Sequence, residues 1–175
     1  MGTRARGAAM GLIILALLPA GAARATLPRD AEEFAARMKR EAVTPDGAAK
    51  LWFEAIFVYA KEATRDGGRR MLSQIMLDTK WEQNAYFVDR MKNKRYVFAS
   101  YARGATPENH YQMDPDDFAL VIVGSEKDRF RDQAWRVDLK SSGADAKRPL
   151  VLDKGDDGLW RVHVYSDIYA DVKAP

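Results

Sequence analysis

From Ala48 onward the apolar positions fall at Ala48, Leu51, Trp52, Ala55, Ile56 and Tyr59, three and four residues apart, which stacks them on one face of an α-helix. Thr44 ahead of this run can cap it, and Pro45 suits a first helical turn, where a missing N–H is no loss. Phe53, Phe57 and Val58 widen the apolar surface to more than half the circumference, so the helix is expected between other elements. Its end is expected at Asp66-Gly67-Gly68. Upstream, Ala31, Phe34, Ala35 and Met38 make a narrower stripe within residues 28–42. Asp30, Glu32 and Glu33 lie there where the helix dipole favours negative charge, and a surface helix is expected. A shorter helix is read over 69–78, on Met71, Leu72, Ile75 and Met76; residues 84–91, with Tyr86, Phe87, Val88 and Met91, suit helix or strand, the helix being preferred.

The texture changes at Arg95. Residues 96–100 read as a short extended piece, and the aromatic, turn-rich run that follows reads as a structured loop. Strand-like runs come next at 118–123, 135–140, 150–152 with its flanks, and 159–165. The turn signal KGDDG joins the last two as an antiparallel hairpin. Alternation in the final strand puts Trp160, Val162 and Val164 on one face and Arg161, His163 and Tyr165 on the other, the first set toward the helices. The expected class is therefore α+β, with N-terminal helices packed on a curved antiparallel sheet wrapped around the second helix. Helices first and a closing hairpin containing GLWRV resemble the cone of NTF2-like and cystatin-like domains.

Composition changes the picture mainly through the first 25 residues. Arg4 and Arg6 precede an apolar run, Ala8 to Leu18, that is shorter than the roughly 20 residues a bilayer-spanning helix needs. Pro19 breaks it, and Ala23-Arg24-Ala25 offers a signal peptidase a site after Ala25. Residues 1–25 are thus read as an export signal and 26–175 as one domain, periplasmic or secreted, with no stable membrane insertion after cleavage. The chain has 28 Lys+Arg against 25 Asp+Glu. Its excess of three, Arg4, Arg6 and Arg24, lies wholly in the signal, so the exported part is balanced and nucleic acid is not an expected partner. With no cysteine, the exported domain folds without disulfides and carries no N-terminal lipidated Cys.

Candidate chemistry is sparse. Neither G-x-S-x-G nor cysteine supplies a nucleophile, and two histidines are present. The acidic turns around Asp153, Asp156 and Asp157 and around Asp114, Asp116 and Asp117 lack the spacing of a calcium loop, so no metal site or cofactor is expected. Tyr96, Phe98, Tyr101 and Tyr111, with Lys94, Arg95 and Arg103 beside them, suit either a partly wet binding face or a second hydrophobic layer. In SSGADAKRP, two hydroxyls, a glycine able to take positive φ and an aspartate that bonds nearby amides are the makings of a turn. Asp145 can pair with Arg148, and Pro149 sets the entry to the next strand. The plain reading is a structural corner. The sharper one is an anion or partner terminus held by Ser141, Ser142, Gly143 and Arg148, with Asp145, Arg103 and His110 nearby.

The strings TPDGAAKLWFEA, SYARGATPENHYQMDPDDF, SSGADAKRPLVL and GLWRVHVYSDIYADVKAP resemble an uncharacterised family of mostly exported bacterial domains, classed only as a domain of unknown function. The resemblance spans nearly all of the exported part and implies its boundaries but no activity. Ser166-Asp167 departs from the Ser-Ser pair that the family tends to carry after its last strand. Two functions follow as expectations. The first is a non-enzymatic module binding a small ligand or an envelope protein through residues 141–149 and the adjoining ARGATPENHY. The alternative is a small NTF2-like hydrolase or isomerase in which His163 and a carboxylate, Asp138 or Asp167, form an acid–base pair in a pocket.

Overall fold

The computed structural model describes residues 26–175, the side chain of Asp116 excepted; residues 1–25, read above as an export signal, lie outside the described residues. Five helices, α1 (Ala31–Glu41), α2 (Pro45–Ala60), α3 (Arg65–Ile75), α4 (Ala85–Asn93) and α5 (Tyr96–Ala99), come first. Four strands follow, β1 (Ile122–Lys127), β2 (Ala134–Leu139), β3 (Arg148–Lys154) and β4 (Trp160–Val164). The sheet is an antiparallel meander in chain order, with β1 and β4 at its edges. Together they make an α+β arrangement, helices N-terminal and sheet C-terminal.

Local chemistry starts α2 where the pattern placed it, and α1 at Ala31, inside the expected 28–42. Asp30 accepts the amides of Glu32 and Glu33 at 3.0 and 2.8 Å, and Thr44 accepts that of Gly47 at 3.1 Å, each satisfying donors that the first helical turn leaves free. From Leu51 to Ala60 every residue of α2 is buried, because α1, α3 and α4 cover it on some sides and the sheet on another. Trp52 lies at its centre, stacked on Phe87 at 6.0 Å and edge-on to Phe53 and Phe98. Among the described residues no helix is long and apolar enough to cross a membrane.

Tertiary packing overrules the local signals in four places. Gly67 and Gly68 do not end α2, which stops at Ala60; they lie inside α3. A Cβ at Gly68 would fall on the backbone of Tyr59, so this glycine lets α3 approach α2 closely. Residues 96–99 are helical and not extended, since Val97 and Phe98 are drawn into the core and the Ser100 amide bonds Tyr96 O at 2.9 Å. The first strand is 122–127, not 118–123: Phe118 packs edge-on against Phe57 at 5.1 Å, and Leu120 bridges to Ala102 outside the sheet.

The fourth departure is in β4. Leu152 faces Val162 but Val151 faces Val164, so His163 is an extra residue, a β-bulge. The bulge resets the alternation. Val162 is fully buried and Trp160 packs on Trp135 at 6.0 Å, as the pattern requires, but Val164 turns outward and Tyr165 turns into the core. The outer edge of β4 is met by the exit of α3, where the Leu77 amide donates to Val162 O at 2.8 Å.

Candidate functional site

The corner at 141–149 is tied down from two sides. The buried Ser141 hydroxyl donates to Ser100 Oγ at 2.7 Å and accepts the Gly143 amide at 3.1 Å, while the Ser142 amide and hydroxyl both reach Ser100 O. On the other side the C-terminal segment crosses the loop, the Lys173 amide donating to Gly143 O at 2.8 Å. Gly143 does not take positive φ. It is a glycine because a Cβ there would collide with the Tyr111 hydroxyl and Val172.

Arg148 behaves differently from the pairing expected of it. Lys140 braces the loop, its Nζ donating to Ala144 O at 2.9 Å and Asp145 O at 2.8 Å, and the Asp145 side chain faces solvent. Among the described residues the Arg148 guanidinium has no hydrogen-bond or ion-pair partner, and its Nε is buried. It lines a shallow depression of about 460 Å³ with Gly143, Asp145, Asp171 and Lys173. Of the other residues grouped with this loop, Arg103 is exposed and its amide bonds Ala119 O, and His110 lines a different cavity.

On the sheet, His163 meets a carboxylate that the sequence reading did not pair with it. Its Nδ1 lies 2.5 Å from Oδ2 of Asp153 on β3, and Arg131 Nη2, from the β1–β2 loop, lies 3.3 Å from the same oxygen and 3.0 Å from Nδ1. The arrangement follows from the hairpin: Asp153 faces Arg161, and the bulge brings His163 diagonally within its reach. A guanidinium only donates, so Nδ1 cannot give its proton to Asp153 and accept from Arg131 together. The carboxylate takes both donors, the ring is held with its proton on Nδ1, and Nε2 has no partner among the described residues. Asp153 Oδ1 is buried and unpartnered, and Asp153 and Arg131 line an open depression of about 490 Å³ with Gln133 and Lys154.

The two carboxylates expected near His163 are elsewhere. Asp138 is nearly buried between Arg136, whose Nε donates at 2.7 Å, and Lys147. Burial alone would raise its carboxyl; the hydrogen bonds from Lys147 and Arg136 outweigh that and hold it below the usual aspartate range. Asp167 is exposed, in a short turn after β4. In the KGDDG turn, Asp157 is clamped by Arg161 at 2.8 and 2.6 Å, which pulls its carboxyl far below the usual range. Among the described residues no three His, Asp or Glu side chains gather as a metal site.

Asp153 could have been found from sequence: a hairpin centred on KGDDG places it opposite the strand that carries His163. Arg131 could not, because the loop that delivers it has no periodic signal. Residues 26–175 match one family, described as Domain of unknown function (DUF6935). No curated protein and no solved structure matches the chain.

Proposed function

The chain belongs to this family, whose description assigns no chemistry, and on the geometry of its own side chains we propose that it is a small acid–base enzyme, a hydrolase or isomerase, with His163 as the proton-transfer residue. One observation carries the reading: Asp153 Oδ2, which also accepts from Arg131, holds the His163 ring through Nδ1, leaving Nε2 unpartnered at a partly exposed position. A carboxylate that fixes the tautomer of a histidine lets the opposite nitrogen accept a proton from substrate or water and return it later. The Lys154 ammonium supplies a donor for a polar substrate in the neighbouring depression, which Asp153 and Arg131 also line. A likeness to NTF2-like enzymes, cone included, belongs to the same proposal. So does a periplasmic or secreted location, which rests on residues 1–25 alone.

The test is turnover by the purified protein across a panel of chromogenic carboxylic and phosphoric esters and racemisable or enolisable carbonyl compounds. An activity that falls about 100-fold or more in His163→Gln, and less in Asp153→Asn, supports the reading. Activity that survives His163→Gln, or no turnover anywhere in the panel, overturns it.

A second reading, a binding module for an anionic ligand or envelope protein, is favoured by the unpartnered Arg148 at the mouth of the 141–149 corner, since a buried guanidinium nitrogen without an acceptor is costly. Loss of a captured partner in Arg148→Ala, with the melting temperature kept, supports it. A lowered melting temperature with the partner still bound reduces the corner to structure.

A further inference from the structure

Between the end of α2, α5 and residues 110–115 lies a cavity of about 420 Å³ that shares no lining residue with the depression at Asp153 and Arg131 or with the one at the 141–149 corner. That volume falls in the range of sites that enclose small molecules. Its inner wall is apolar, built from the buried Phe57, Ala60 and Ala99 and from Met113, which packs on the core. Across it Tyr96 and Tyr111 stack, ring centroids 5.8 Å apart and planes 23° from parallel.

The rim has one sign of charge. Lys61 and Arg95 are both exposed there, neither side chain has an ion-pair or hydrogen-bond partner among the described residues, and no lining residue carries a carboxylate. An otherwise charge-balanced surface thus places two unpaired cations at the mouth of an apolar hollow.

The backbone of one wall is strained. His110 and Tyr111 both have φ of 54°, the left-handed region that side chains with a Cβ avoid. Three features hold them there. Thr106 and Asn109 cap each other's backbone, the Tyr111 amide donates to Thr106 O at 2.8 Å, and the Tyr111 hydroxyl donates to Lys173 O at 2.6 Å. The strained pair sets the Tyr111 ring flat against Tyr96. Such strain persists only where its surroundings over-determine it, and ligand clamps are one place where that happens.

We propose that this cavity binds a small organic anion with a flat apolar body: the body lies against Tyr96, Tyr111 and the Phe57 wall, and the carboxylate, sulfonate or phosphate meets Arg95 and Lys61. Apolar area supplies the attraction and the cations set the orientation, because a desolvated anion next to an unpaired guanidinium gains charge-assisted hydrogen bonds that a neutral ligand does not. The site does not depend on the His163 chemistry.

The test uses protein expressed from the complete sequence and titrated with anilinonaphthalene sulfonate, followed by fluorescence and calorimetry. One saturable site per chain is expected, weakened about tenfold or more in Lys61→Ala/Arg95→Ala. Both residues are exposed, so the melting temperature stays, and the uncharged N-phenylnaphthylamine binds wild type and variant alike but more weakly than the sulfonate binds wild type. His163→Gln leaves the binding unchanged, which separates this test from that of the acid–base reading. Non-saturating binding, equal binding of the sulfonate by the double variant, or equal wild-type affinity for the two probes overturns the proposal.

Discussion

Arg37 on α1 places its Nη2 2.6 Å from Oε2 of Glu54 on α2, a carboxylate with no exposed surface. The approach is an ion pair off the hydrogen-bonding direction, so Oε2 has no hydrogen-bond donor of its own. Lys50 holds the other Glu54 oxygen at 2.6 Å, and Arg37 also grips Glu41 with Nε and Nη2 at 2.8 and 3.1 Å. Removing one partner of a buried pair leaves the other charge stranded, which typically costs about 3–5 kcal/mol. Because Arg37 keeps Glu41, Glu54→Ala is expected to cost less than that, about 1–3 kcal/mol in urea denaturation, while Arg37→Met/Glu54→Leu recovers most of the loss. A Glu54→Ala loss under about 1 kcal/mol would mean that water reaches the pair.

The two glycines of α3 should respond oppositely to the same change. At Gly67 a Cβ meets nothing within 4 Å, so Gly67→Ala gains helix propensity, about 0.5–1 kcal/mol. At Gly68 the added carbon strikes the Tyr59 backbone and forces α3 off α2, a cost of about 1–3 kcal/mol. Paired thermal melts check this. Shifts of the same sign would show that the α2–α3 contact is looser than described.

Asp138 sets an acid limit on the sheet. Its folded carboxyl titrates below the unfolded aspartate value of about 3.9, so the stability it adds is present above that value and lost as pH falls through the lower folded one. Asp138→Asn should therefore melt well below wild type at neutral pH, with the gap narrowing as pH falls below the unfolded aspartate value. A gap independent of pH would assign the loss to packing.

Tyr111 ties the C-terminal segment to the body of the domain through its hydrogen bond to Lys173 O. Tyr111→Phe should cost about 0.5–1.5 kcal/mol and speed hydrogen exchange at the Lys173 amide, which bonds Gly143 O. Unchanged exchange at that amide would show that the segment is held elsewhere.

His163 should appear in nitrogen-15 spectra near neutral pH as the tautomer protonated at Nδ1, because Asp153 Oδ2 accepts there. Asp153→Asn should abolish that preference and Arg131→Ala should keep it. A wild-type ring protonated at Nε2 would remove the geometric basis of the acid–base reading.

Much of the fold was legible because the signals that specify it are local. The stripe from Ala48 to Tyr59, the cap at Thr44 and the KGDDG turn depend on spacing within a few residues, and each appears where it was read. Misreadings came where a residue serves a distant neighbour. Gly68 looked like a helix end but accommodates Tyr59, and Phe118 looked like a strand but fills a place against Phe57. His163 and Asp138 were legible as titratable groups, yet not their partners.

The sequence by itself determined the α+β order, the buried central helix and the hairpin, since periodicity is averaged over whole turns and strands and tolerates an error of a residue. Only the tertiary structure decided which carboxylate meets His163, which cation is left without a partner at 148, and that Lys61 and Arg95 share a rim with Tyr96 and Tyr111. A hydrogen bond needs its atoms within about 3 Å, and a single-residue bulge moves a side chain farther than that.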